Sequence, residues 1–176
     1  MYFFTADEHY DHMSKTGGIL KYRPFDTYDE MHDAMISRHN EAVGPNDIVI
    51  HAGDFTLNPR YQEVVEKFVS QLEGKHIFLK GSHDRWLKGT SHHEIWEKKI
   101  GDLYIVVCHY CMRVWPRSHY NSTLLFGHSH GRLAPIGKSY DIGVDANDFY
   151  PVPLSQIEII MQKAPNNFNY IKDRDL

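Results

Sequence analysis

At 176 residues with 41% hydrophobic content, the chain is long enough to bury one sizeable core and too apolar to be disordered. A net charge of −4 with scattered Lys and Arg gives no electrostatic case for long nucleic acid, and no stretch is long and apolar enough to span a membrane. Two cysteines exclude a disulfide framework and suit a reducing compartment; with no export signal, the cytoplasm is the expected location.

In chain order, Tyr2 to Ala6 reads as a first strand rich in aromatics, followed by a loop over 10–26 that carries Gly17-Gly18 and Arg23-Pro24-Phe25. Thr27 to Val43 reads as a helix: Thr27 and Glu30 have capping-box spacing, and Gly44-Pro45-Asn46-Asp47 stops it. Ile48 to Ile50 is a second strand. Tyr61 to Glu73 is a helix with Val64, Val65, Phe68, Val69 and Leu72 on one side, and Ile77 to Leu79 is a third strand. Strand, helix, strand, helix, strand argues for right-handed crossovers and a parallel sheet.

The second half changes character. Glu94 to Lys99 and Leu103 to Cys108 flank Gly101-Asp102 as a hairpin. Thr123 to Phe126, Tyr140 to Val144 and Gln156 to Met161 read as further strands, and from Ala164 the chain reads as a polar tail. The expectation is one domain over 1–163, an α/β sandwich of two sheets with helices outside, followed by a tail over 164–176.

Five polar clusters each follow an apolar run: Asp7-Glu8-His9, Gly53-Asp54, Gly81-Ser82-His83-Asp84, His109, and Gly127-His128-Ser129-His130. Buried strands ending this way deliver side chains to one sheet edge. Carboxylate and imidazole together suit a borderline divalent metal. Strand alternation puts Asp7 and His9 on one side of the backbone, and His128 and His130 repeat that spacing. Six such ligands are too many for one four-coordinate ion, but suit two ions about 3.5–4 Å apart. Such a pair activates water and stabilises charge on a phosphoryl group. His83, outside the ligand set, is the candidate proton donor, with Asp84 beside it to orient or charge it.

The ordered series Asp7-x-His9, Gly53-Asp54, Gly81-x-His83-Asp84, His109, Gly127-His128-x-His130 resembles the calcineurin-like metallophosphoesterase superfamily, in its small single-domain bacterial and phage form. The resemblance runs from Met1 to about Met161, with further likeness at Arg23-Pro24-Phe25, Val43-Gly44-Pro45 and Gly143-Val144-Asp145. It implies a four-layer sandwich of two mixed sheets flanked by helices. It implies that Asp7, His9 and His130 hold one ion, that Asp54 bridges, and that His109, His128 and the residue at 82 hold the other. It also implies in-line attack by a metal-bridging hydroxide on a phosphomonoester or diester, with His83 at the leaving group and Asp84 behind it.

Two divalent ions are expected, Mn²⁺ first, with Fe²⁺, Ni²⁺ or Zn²⁺ as alternatives. The substrate expected is a small phosphoester, of which a nucleotide-like one is a candidate. Ser82 stands where the family carries Asn, and a hydroxyl reaches less far than an amide oxygen. It binds weakly, through a water, or not at all, so the second ion is expected to be the weaker one. The runner-up is a non-catalytic binding module on the same fold; a nuclease is a third reading.

Several residues carry a plainer reading. His32, His39, His76, His92 and His93 read as solvated or hydrogen-bonded surface histidines, and His51 as a packed strand-end histidine. Glu8 points away from Asp7 and His9. His12 stands evenly between the site and a loop role, and Arg117 and His119 between phosphate contact and the surface. Cys108 and Cys111 are buried thiols beside a histidine, and Trp86, Trp96 and Trp115 are core or groove wall.

Overall fold

Parallel strands with apolar sequences form where both faces are covered, and the first half of the chain builds such a sheet, with helical crossovers on its outer face. In a computed structural model that describes residues 1–13, 18–88 and 93–172, β1 (Tyr2–Thr5), β2 (Ile48–His51) and β3 (Lys75–Phe78) pair in parallel, joined by α1 (Tyr28–Ala42) and α2 (Tyr61–Val69). Thr27 caps α1: its side chain accepts from the Glu30 amide at 3.1 Å, while the Glu30 carboxylate reaches back to the amide of Asp26 at 3.0 Å. Gly17 and His92 lie outside the described residues.

The second sheet is built from β4 (Ile95–Ile100), β5 (Leu103–Cys108), β6 (Thr123–Phe126) and β7 (Ser139–Asp141). The β4–β5 hairpin is antiparallel, turning at Gly101, and β5, β6 and β7 then run parallel. A short β8 (Val152–Pro153) returns to the first sheet and pairs antiparallel with β1. The orders are β3-β2-β1-β8 and β4-β5-β6-β7, both mixed. This is the expected α/β sandwich of two mixed sheets with helices outside, the architecture that the resemblance implies.

Its centre is apolar. Phe4, Ile50, Ala52 and Leu79 from one sheet meet Ile105, Val107, Leu125 and Ile142 from the other. Outside the first sheet, α1 and α2 bury Met31, Met35, Val64 and Phe68 against Tyr10, Phe55 and Phe149. Outside the second, Trp115 and its loop cover Val106, Leu124 and Phe126.

Two elements differ from expectation. The segment read as a strand over Gln156 to Met161 is a helix, α3 (Leu154–Lys163). It buries Ile157 and Met161, four apart, against the central core while Ile159 stays exposed. A short run rich in Ile is ambiguous between the two states, and Pro153 at the start fits a helix entry. The polar segment after Ala164 docks rather than trails: Asn167 is buried, donating to the carbonyls of Ser118 and Ser122 at 2.9 and 3.0 Å. Residues 173–176 lie outside the description. Among the described residues, no helix is long and apolar enough to cross a membrane.

Candidate metal centre

Parallel strands share a direction, so their C-terminal ends meet at one edge. The loops after β1, β2, β3, β5 and β6 carry the five clusters there. Backbone hydrogen bonds tie them together: Asp7 to Gly53, His9 to Asp54, Gly127 to His109 and Val144 to Ala6.

Two groups of candidate ligands result. Asp7, His9 and His130 bring ligand atoms within 4.8 Å of one another, and Asp54, His109 and His128 do the same. Asp54 stands between the groups. Its Oδ2 is 3.3 Å from His109 Nε2, 3.9 Å from His9 Nε2 and 3.8 Å from His83 Nε2. These are the six residues the sequence singled out as ligands.

The mechanism of convergence differs from simple strand alternation. Asp7 and His9 have φ of 60° and 53°, so neither is extended, and Asp54, His128 and His130 are also left-handed, at 59°, 67° and 49°. Five of the six candidate ligands thus occupy a conformation that costs a non-glycine residue on the order of 1 kcal/mol.

The surroundings fix each donor. His109 Nδ1 donates to the Ala52 carbonyl at 2.9 Å, which leaves Nε2 facing Asp54. His130 Nδ1 donates to Asp145 Oδ2 at 2.7 Å, which directs Nε2 inward. Asp145 is held in turn by the buried Arg23 through a fork at 2.8 and 2.9 Å, and the same guanidinium donates to the carbonyls of Asp7 and Glu8. Asp141 accepts from Ser129, Gly131 and Gly143 and so clamps the last loop. Sequence reasoning gave Arg23, Asp141 and Asp145 no role at the site. Arg23 and Asp145 meet across 122 positions, and only their place in family-like segments marked them.

Charge follows burial. Burial pushes the Asp7 carboxyl up to about 7 against the pull of His109 and His130, and holds the His9 ring far below its usual range, hence neutral. Burial opposes the charge of Asp54 as well, but the hydrogen bond and charge of His109 hold its carboxyl below the usual carboxylate range. Burial likewise opposes Asp145, which His130 and Arg23 nevertheless keep down at about 2.

The residues fit divalent ions. Asp7 Oδ1 and both ring nitrogens of His9 are buried with no hydrogen-bond partner among the described residues. Orphaned polar atoms of this kind cost about 1–3 kcal/mol each unless something binds them. A cation between them satisfies the neutral imidazole and the strained carboxylate together.

The remaining site residues are placed as follows. The Ser82 hydroxyl donates to Asp54 at 2.9 Å, so it sits beside the shared carboxylate and spends its proton on it. His83 donates its amide to Asp54 Oδ1 at 2.8 Å, and its half-exposed ring lies 5.6 Å from that of His9. Asp84, expected to orient or charge His83, forms no hydrogen bond or ion pair with its ring. It accepts from the amides of Asp54, Phe55 and Gly81 and from the Trp86 indole, so it locks the β2 and β3 loops together.

His12 comes to the site, its ring 5.1 Å from His9 and 5.9 Å from His83. Glu8 turns away, as expected, to meet His51 Nδ1 at 2.6 Å. Arg117 lies over the Tyr104 ring near the start of β5, at the far end of the strand from His109. His32 and His39 are buried, against expectation: the rings of Tyr10, Tyr28 and Phe68 pack around His32, and those of His51 and His76 face His39, whose Nε2 donates to the Glu73 carbonyl at 2.9 Å.

No family model matches the chain. It is 25% identical over 179 residues to MJ1445, an uncharacterized protein of Methanocaldococcus jannaschii, covering 92% of each. Its fold is similar to that of AQ665, a protein of unknown function from Aquifex aeolicus, with TM-score 0.68 and 21% identity over 91% of this chain and 98% of that one. A looser likeness, with TM-score 0.41 and 17% identity over 81% and 70%, is to an uncharacterized protein and predicted phosphoesterase of Streptococcus pneumoniae.

Proposed function

We propose that this chain is a metal-dependent phosphoesterase of the calcineurin-like type, working with two divalent ions. One observation carries the reading: Asp54 Oδ2 lies within 4 Å of nitrogens from both ligand groups and from His83, a ring that belongs to neither. A shared carboxylate with a free imidazole beside it serves hydrolysis at a charged ester.

Asp7, His9 and His130 would hold one ion, His109 and His128 the other, and Asp54 both. Bound there, the ions supply Lewis acidity toward a phosphoryl group and a lowered pKa for water. His83 delivers a proton to the departing oxygen from Nε2, its backbone fixed on Asp54. Asp84 keeps the His83 loop in place rather than charging the ring. Carboxylate and imidazole together suit Mn²⁺ first, with Fe²⁺, Ni²⁺ and Zn²⁺ behind it.

Hydrolysis of bis(p-nitrophenyl) phosphate in added Mn²⁺ tests the reading. Turnover in wild type supports it, and absence of turnover from both wild type and Ser82→Asn removes it. The hydrogen bond from Ser82 to Asp54 favours a second reading, a weak or inactive binding module that takes up one ion. Activity gained only on Ser82→Asn would assign the natural chain to that second class.

A further inference from the structure

Beside His130 a pocket of about 610 Å³ opens, within the size range of small-ligand sites. Ile19, Tyr22 and Pro24 form one wall and Phe149 another, with Arg132 and Asp145 completing the lining. Nothing in the proposed chemistry uses it.

The pocket is built onto the metal centre. Arg23, between Tyr22 and Pro24, is pinned to Asp145, which holds His130. The wall and the candidate ligand are therefore one hydrogen-bonded unit. Opposite, Asp148 and Phe149 are consecutive left-handed residues, with φ of 49° and 60°, and they turn the Phe149 ring inward against Phe25. Backbone strain of this kind persists where the surrounding structure enforces it.

Its charge is selective. Asp145 is paired with Arg23, and Asp148 lies 3.9 Å from Arg38. Arg132 forms no ion pair among the described residues; its guanidinium lies over the exposed Tyr22 ring, 5.6 Å from its centre, and Lys21 Nζ lies over the same ring at 4.7 Å. A guanidinium backed by an aromatic ring is a flat cationic platform on which an electron-rich planar group stacks.

We infer that this pocket is the subsite for a heterocyclic ester substituent of nucleoside size, so that the substrates are nucleotide-type phosphoesters. The inference rests on the phosphoesterase reading for the position of the phosphate, and on the pocket for the base.

Two measurements separate the two claims. The first is calorimetric binding of thymidine 5′-monophosphate and of ribose 5-phosphate to the Mn²⁺-loaded protein. The expected result is at least about tenfold tighter binding of the nucleotide. Tyr22→Ala should erase most of that gap and Tyr22→Phe should keep it. Equal binding of the two ligands by wild type, or a gap untouched in Tyr22→Ala, overturns the subsite.

The second is the ratio of kcat/KM for thymidine 5′-(p-nitrophenyl phosphate) to that for methyl p-nitrophenyl phosphate, which shares the leaving group. It should favour the nucleoside ester about tenfold or more and fall toward unity in Tyr22→Ala. A ratio near unity in wild type counts against the subsite while leaving the phosphoesterase reading intact. Absence of turnover in wild type and in Ser82→Asn, together with an intact binding gap, supports the subsite and removes the phosphoesterase.

Discussion

Asp7, His9, Asp54, His128 and His130 hold the left-handed backbone that delivers their side chains inward, and such strain needs an opposing gain. His128 is the exposed member, so His128→Gly relieves its strain with little loss of packing. In metal-free protein it should leave unfolding stability unchanged or raise it by up to about 1 kcal/mol, while metal-induced stabilisation falls; chemical denaturation with and without Mn²⁺ measures both. His83→Ala should lower kcat by about 10²- to 10⁴-fold with bound metal unchanged by elemental analysis; lost metal would make His83 a ligand instead. The six candidate ligands were legible because residue type and position at strand ends carry the chemistry. Their left-handed backbone was not legible, nor was the support from Arg23 and Asp145, because it forms only when distant loops meet.

At the level of elements, five strand ends supply the site, and the loops between them pack too tightly for added atoms. Gly81 approaches the backbone and side chain of Asp54 so closely that a Cβ would collide with both the Asp54 amide nitrogen and Oδ1. Gly81→Ala should displace Asp54 and reduce bound metal, with a loss of thermal stability; normal metal content in that variant would contradict the tight junction. The parallel unit and the hairpin were readable from strand-length apolar runs separated by helical or Gly-containing segments. The ambiguous run at 156–161 was not, because α3 differs from a strand only through which of its isoleucines meets the core. The two-residue β8 is too short to leave a pattern.

The whole molecule buries histidine as well as hydrocarbon. Burial lowers His39 to about 4 despite the hydrogen bond it donates to Glu73, with the rings of His51 and His76 facing it at 6.4 and 5.7 Å. The unfolded chain takes up this proton first. The contribution of His39 is therefore complete above about pH 6.5 and is lost as pH falls toward about 4, by up to about 1.4 kcal/mol per pH unit. In EDTA, urea unfolding of His39→Gln between those limits should differ from wild type in slope by up to about 1.4 kcal/mol per pH unit, the other buried histidines and carboxyls adding their own terms to both.

The proposed function requires the sandwich to hold six side chains around two ions. Anomalous diffraction from crystals grown with Mn²⁺ tests that claim most directly. Two peaks about 3.5–4 Å apart are expected on either side of Asp54, the one beside His109 and His128 losing occupancy first as Mn²⁺ is lowered. No peak at Asp54, or a single ion held away from His9 and His130, would contradict it.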